Sequence, residues 1–383
     1  MIERNVIAVG VVCGDRISGA SAGFVVRRAL VKEFGEKDPN ALKNAGRIVK
    51  VDPPAAIPGG EVVIQCADIE LDGNRLTRCE FDGHPATLVA SSTRRVLAQV
   101  PDSAIDGEAE VTLQYGDGPP LTATCKLGRR LSGEMHPVAN PAFDPDDGAL
   151  FVTRSGARGQ QLPVTLFRID AAGDVTEFSG DIQNPTGIAF DHNGQMYVSN
   201  RADGIICRLD QFREVSSFAT DLGTVTGIAF DRDGYLYAGD RTGTIFRIAP
   251  DGGVIAWVEI EPSVSAFHLA FGPDGFLYVS GPTVSSFECI TRIDPAGKPS
   301  VFFRGLGRPQ GLAFDREGYL YVAASLRGRR GIVRINRDGT AAEMAVAGMN
   351  VVGLAFGPQG EMAVATNEAV YSVPVGIYGT LIP

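Results

Sequence analysis

The amino-acid sequence predicts an all-β protein, a six-bladed β-propeller preceded by a β-sandwich and a short β-α segment. Three observations predict it: a strand-turn-strand phrase that recurs six times, turn chemistry spread along the chain, and an upstream run of short alternating strands. Of 383 residues, 44% are apolar and 21% charged, which supplies enough apolar mass for a large core. The 47 glycines stand repeatedly beside aspartate and asparagine, the chemistry of many tight turns rather than of long helices.

The phrase joins an apolar strand ending in phenylalanine to a D-x-x-G-like turn and a second strand of the form L-Y-V. It reads PAFDPDDGALFV from Pro141, GIAFDHNGQMYV from Gly187, GIAFDRDGYLYA from Gly227, HLAFGPDGFLYV from His268, GLAFDREGYLYV from Gly311 and GLAFGPQGEMAV from Gly353. Its marker phenylalanines are Phe143, Phe190, Phe230, Phe271, Phe314 and Phe356, separated by 40 to 47 residues. Five repeats continue into a third strand with an R-I/L core (FRID, CRLD, FRIA, TRID, VRIN) and then a fourth (VTEF, VSSF, VIAWV, SVFF, AEMAV). Four strands per unit of about 40 residues make a propeller blade.

The fourth strand also predicts ring closure. Phe178, Phe218, Phe302 and Met344 each stand 12 residues before the next marker phenylalanine, as Leu131 does before Phe143, and Ser132-Gly133 repeats Ser179-Gly180. Residues 124–131 are therefore expected as the outer strand of the last blade, with the tail 377–383 as the rival. Without such a strand the blade keeps an open edge.

The propeller is thus expected over 124–376. Ahead of it, residues 46–123 read as short alternating strands broken by proline and glycine, the pattern of a β-sandwich. Residues 1–45 read as a β-α appendage: a strand from Asn5 to Cys13, then a helix with Ala22, Val26, Leu30 and Phe34 at i, i+4 spacing, capped by Ser18 or Ser21 and ended by Gly35.

A net charge of -10 and a pI near 5.0 argue against nucleic acid or anionic membrane as the main partner. No apolar run reaches the roughly 18 residues of a membrane span. The stretch Val6 to Cys13 reads as a buried strand rather than a signal peptide, which points to the cytoplasm. The six cysteines, Cys13, Cys66, Cys79, Cys125, Cys207 and Cys289, have the spacing of neither a zinc site nor a disulfide framework. Buried free thiols are expected, with a Cys66–Cys125 pair as the alternative. GVVCGDRISGAS lacks the spacing of a phosphate loop, and the D-x-x-G turns lack the further oxygens of a calcium loop.

The repeated G-[IL]-A-F-D-x-x-G-x-[LM]-Y-V phrase resembles the NHL and SMP-30/gluconolactonase/LRE-like propellers. The segment from VDPPAAIPGGEV to VTLQYGDG, with its FDGHPA turn and SSTRRVLAQVP strand, is similar to IPT/TIG immunoglobulin-like (Ig-like) domains. Together the two resemblances cover Ile48 to Val375. The first implies a lactonase with a divalent cation, calcium or zinc, held in the central channel by Glu, Asn and Asp side chains. The matching positions here are Ala139, Thr186, Thr226, Phe267, Gln310 and Val352, none of them a carboxylate or an asparagine. No metal ligand and no cofactor is therefore assigned.

What remains are polar residues near the axis and arginines beyond it. Thr186, Thr226 and Gln310 either line the channel mouth and bond a neutral ligand, or satisfy local backbone groups. His268 and Asn140 hold the slot that is glycine in the other four blades, and His136 stands four residues before Asn140. His268 is the candidate catalytic base or ligand contact. The loops between second and third strands carry Arg154, Arg158, Arg201, Arg241, Arg327, Arg329 and Arg330 on one expected face, with Asp203, Asp240 and Glu288 as possible counter-charges. Guanidinium groups present planar forks to carboxylate and phosphate. The expected function is recognition of an anionic small molecule or an acidic protein partner on that face. The alternatives are a metal-dependent lactonase acting in the channel and an assembly or scaffold subunit, with a homo-oligomer in view.

Overall fold

Each repeat folds as one antiparallel sheet, as its alternating pattern requires. In the second blade the order is Pro185–Phe190, Met196–Asn200, Ile205–Leu209, Val215–Ala219, and the other five follow the same plan. The structure is a computed structural model describing residues 46–69, 76–104, 106–156, 160–210, 212–285 and 288–380. The expected β-α appendage at 1–45 and Arg158 lie outside the described residues. Among those described, no helix is long and apolar enough to cross a membrane.

The D-x-x-G turn is built by its aspartate. Asp191 Oδ1 accepts the backbone N–H groups of Asn193 and Gln195, each at 2.9 Å, and Gly194 takes a φ of 73° that a side chain would resist. Asp231 repeats the arrangement with Asp233 and Tyr235. These carboxylates are occupied by the chain itself.

Blades are joined by an aromatic relay. The aromatic residue of each second strand meets the fourth strand of its own blade and the marker phenylalanine of the next. Tyr197 contacts Phe218 at 4.9 Å and Phe230 at 5.0 Å, Tyr237 contacts Trp257 and Phe271 at 5.0 Å, and Tyr278 contacts Phe302 at 4.9 Å and Phe314 at 4.8 Å. All six pairs meet edge to face, the geometry the ring quadrupole favours. Phe151 and Tyr321 extend the relay to Phe190 and Phe356. It fails only at the seam, where the last blade carries Ala363 and Phe143 packs in an aliphatic cluster with Leu150 and Val352.

The last blade is closed by a strand from upstream, Arg129–Gly133, paired with Ala369–Val373. The expected segment 124–131 is corrected: Leu121–Leu127 belongs to the sandwich, paired along its length with Gly107–Tyr115, and Gly128 separates the two strands. The rival segment takes another path. It bridges Gly379 to Asp315 and donates Thr380 N–H to Phe314 O at 3.1 Å, beneath the fifth blade.

Residues 46–127 form two sheets over one core. Val62, Ile64, Val96 and Ala98 face Phe81, Val111, Leu113 and Cys125, as the alternating burial of Glu61–Ala67 and Gly107–Tyr115 dictates. One sheet runs directly into the propeller: Ala55–Ala56 pairs in parallel with Leu121–Leu127 on one side and Ala342–Ala347 of the fifth blade on the other. A ten-stranded sheet results. Arg329 fastens the same junction through its ion pair to Asp52 at 2.5 Å.

The described cysteines are free, so the Cys66–Cys125 pairing is not formed. Burial pushes the Cys79 and Cys125 thiols up to about 12. Such thiols pack as small apolar groups.

The relay makes a graded prediction. Phe230→Ala removes a marker ring with a tyrosine partner and should cost about 3–5 kcal/mol, whereas Phe143→Ala at the seam should cost clearly less. Urea titrations of the two variants check this, and equal losses would remove the relay as the main source of inter-blade cohesion.

Candidate functional site

The inner strands set the site. Because side chains alternate, the glycine-slot residue and the alanine two positions later share the channel face, while the residues between them are buried between blades. Ala142, Ala189, Ala229, Ala270, Ala313 and Ala355 are each partly exposed, whereas Ile188, Ile228, Leu269, Leu312 and Leu354 are buried. The slot needs glycine because the next inner strand comes close there. A Cβ on Gly187 would stand 2.8 Å from Thr226 O, and one on Gly353 would stand 2.5 Å from Ala139 O.

Below this constriction lies a cavity of about 510 Å³. Its deep end is lined by Asn140 and His268, its waist by the alanines and marker phenylalanines, and its mouth by Asp144, Asp146, Asp147, Arg316 and Tyr378. The mouth therefore opens among the turns between first and second strands, opposite the arginine-bearing loops. At that rim the Arg316 guanidinium lies 5.1 Å above the Tyr378 ring and donates from Nε to Gly379 O at 3.2 Å. Burial, with added repulsion from Asp147 and Asp146, raises the Asp144 carboxyl above its usual range.

His268 is 3% exposed, and its Nε2 has no hydrogen-bond partner. Burial lowers its pKa to about 4, so the imidazole is neutral near pH 7. A buried neutral imidazole with an unengaged nitrogen is a hydrogen-bonding group held ready for a ligand or a proton. Asn140 has a different role from the one its slot suggested. Its Nδ2 donates to Leu312 O at 2.9 Å and its Oδ1 accepts Leu354 N–H at 3.1 Å, which pins the first blade to the fifth and sixth across the axis. His136 is exposed, and its carbonyl accepts the Ser155 N–H.

Thr186 and Thr226 are 0% and 1% exposed and do not line an open mouth. The Thr226 hydroxyl accepts Phe267 N–H at 3.0 Å and lies 3.3 Å from Phe267 O, tying the third blade to the fourth. Gln310 presents its carbonyl to the Ser280 hydroxyl in the same inter-blade role. Thr153 and Ser199 repeat that bond to Thr186 O and Thr226 O. Around the expected metal position stand buried Ala139, Phe267 and Val352, and no group of three or more His, Cys, Asp or Glu among the described residues could hold a metal ion. This donor set does not fit the divalent cation that the family resemblance implies.

The arginine face is partly dismantled by its own bonds. Arg329 belongs to the sandwich junction through Asp52, and Arg241 Nη2 donates to Val264 O at 2.8 Å. The expected counter-charges are engaged elsewhere: Asp203 accepts from Asn200 Nδ2, Asp240 from Thr224 N–H, and Glu288 from Arg308 N–H. Among the described residues, Arg154, Arg201, Arg241, Arg327 and Arg330 have no carboxylate partner. Arg201 and Arg241 come together: burial, then the charge of Arg241, lowers the proton affinity of the half-buried Arg201. The sequence marked the arginines but gave no sign of which ones the sandwich would claim. The alanine ring was written in the phrase itself, two residues after each slot.

A family model for the N-terminal region of strictosidine synthase-like proteins matches residues 227–248. Comparison with curated proteins gave no significant match. Among solved structures, a gluconolactonase from Xanthomonas campestris superposes with a TM-score of 0.55 at 17% identity, covering 64% of this chain and 88% of its own. A structural-genomics protein provisionally assigned as a gluconolactonase gives 0.55 at 20% identity, covering 66% and 93%. An auxiliary nutrient binding protein from Bacteroides thetaiotaomicron gives 0.51 at 15% identity, covering 88% and 98%. These likenesses show the fold, a gluconolactonase-like propeller.

Acid should expose the burial of His268. Its folded pKa of about 4 lies below the unfolded value near 6.5, so the unfolded chain takes the proton first. Stability is unaffected above about pH 6.5, falls as pH drops toward 4, and levels off below, with a total loss of roughly 3 kcal/mol. His268→Gln should flatten that limb of the stability-pH curve, measured by urea unfolding from pH 8 to 4. An unchanged slope would show that acid sensitivity arises elsewhere.

Proposed function

We propose that the protein binds a small molecule in the axial cavity of its propeller, with His268 as the polar contact. The observation that carries this reading is the unengaged, neutral imidazole at the deep end of a cavity whose waist is apolar. The nutrient-binding neighbour supports it, because that match extends over sandwich and propeller together at 88% of the chain. We read residues 46–127 as an IPT/TIG-type Ig-like domain held rigidly against the propeller, a support for the site rather than a part of it. Anion recognition on the opposite face is left to Arg154, Arg201, Arg241, Arg327 and Arg330, of which Arg201 and Arg241 stand close enough to share an anion.

A second reading, hydrolysis of a lactone in the same cavity, is favoured by the two gluconolactonase-like neighbours, which superpose slightly better on the propeller alone. Here His268 would accept a proton from water as the water oxygen attacks the lactone carbonyl. The ring C–O bond would then break, and the imidazolium would return the proton to the departing alkoxide. This route uses the chain's own residues and does not require the missing donor set.

One experiment separates the readings. Calorimetric titration and pH-stat assays with δ-decalactone and D-glucono-1,5-lactone are run on the native protein and on His268→Gln. Binding without turnover, weakened about tenfold or more in the variant, is the expected result. Turnover that survives EDTA and vanishes in the variant would establish the second reading. EDTA-sensitive turnover would overturn both accounts of the site, and absence of binding would overturn the first.

A further inference from the structure

The lining of the axial cavity restricts its ligand more sharply than the fold does. A sugar lactone carries several hydroxyl groups, and each one taken out of water needs a partner inside the protein or binding is weakened. The deep half of this cavity offers very few. Its waist is the ring of Ala142, Ala189, Ala229, Ala270, Ala313 and Ala355, all methyl groups on the channel face. At the deep end Asn140 has its amide nitrogen and oxygen already bonded to Leu312 and Leu354. Among the side chains there, only that of His268 keeps an unbonded polar atom. Charged groups return at the mouth, where Asp144 and Arg316 stand.

From this we infer that the ligand is a neutral, largely apolar molecule with a single hydrogen-bonding head, an alkyl- or aryl-substituted lactone or ester rather than a polyhydroxylated sugar lactone. This inference rests on the axial cavity being the binding site. The head meets His268 and the hydrocarbon body lies within the alanine ring, its far end toward the mouth. Apolar complementarity of this kind scales with the hydrocarbon buried, about fourfold in affinity for each methylene removed from water.

The test is a homologous series. γ-Lactones with alkyl side chains from two to eight carbons are titrated calorimetrically against the native protein, alongside D-glucono-1,5-lactone. Affinity should rise about fourfold per methylene until the channel is filled, and the sugar lactone should bind at least 100-fold more weakly than the best member. Ala229→Leu and Ala270→Leu, each adding bulk to the ring, should shorten the chain that fits, with thermal melts confirming that the variants fold. Sugar-lactone binding as tight as that of the alkyl series, or affinity independent of chain length, would overturn the ligand class while leaving the cavity as the site. If neither kind of lactone binds, or if both bind identically to native and leucine variants, the cavity reading falls and this inference with it.

Discussion

The structure depends on the edge-to-face contact between the second-strand aromatic of one blade and the marker phenylalanine of the next. Each tyrosine is wedged between its own outer strand and the adjoining inner strand, so it fixes two distances at once. Repetition of that wedge sets the spacing of the inner strands. The spacing in turn makes the slot so tight that glycine is the ordinary occupant, and leaves the alanine level open as a channel. Site and scaffold therefore follow from one packing rule.

Against that rule His268 is costly. A neutral imidazole in a slot built for glycine is buried with an unsatisfied nitrogen, and acid makes its position worse. Asn140, the other exception, offsets its burial by bonding backbone on both sides. The two departures from glycine thus have opposite characters. One is structural and complete, the other leaves a ring nitrogen unbonded in a residue that lines the cavity.

The repeats made the propeller legible, because a phrase with fixed spacing must fold the same way each time. The closing strand was legible in direction but not in register: the count of twelve found Leu131, yet the strand begins only at Arg129 because Leu121–Leu127 is committed to the sandwich sheet. The two sheets of the sandwich could be read from alternation, whereas their fusion to the fifth blade could not, since Ala55–Ala56 is too short to leave a pattern. Among site residues, the position of His268 near the axis was visible, whereas its burial and its unbonded nitrogen were not. Thr186, Thr226 and Gln310 stand at the expected positions, but the bonds that draw their carbonyls between blades come from the hydroxyls of Thr153, Ser199 and Ser280 in the preceding blade. Which arginines face a ligand depended likewise on a partner, Asp52, from the other part of the chain.

The continuous sheet from sandwich to fifth blade has a consequence for anyone dissecting the molecule. Residue 128 looks like the natural place to cut, midway between two architectures. Yet the fragment after it would lose the strand that covers the outer edge of Ala342–Ala347, and the fragment before it would keep Ala55–Ala56 with one neighbour gone. Both halves would present bare hydrogen-bonding edges to other chains, an invitation to aggregate. Sandwich and propeller are therefore one unit of folding, joined through two residues of strand.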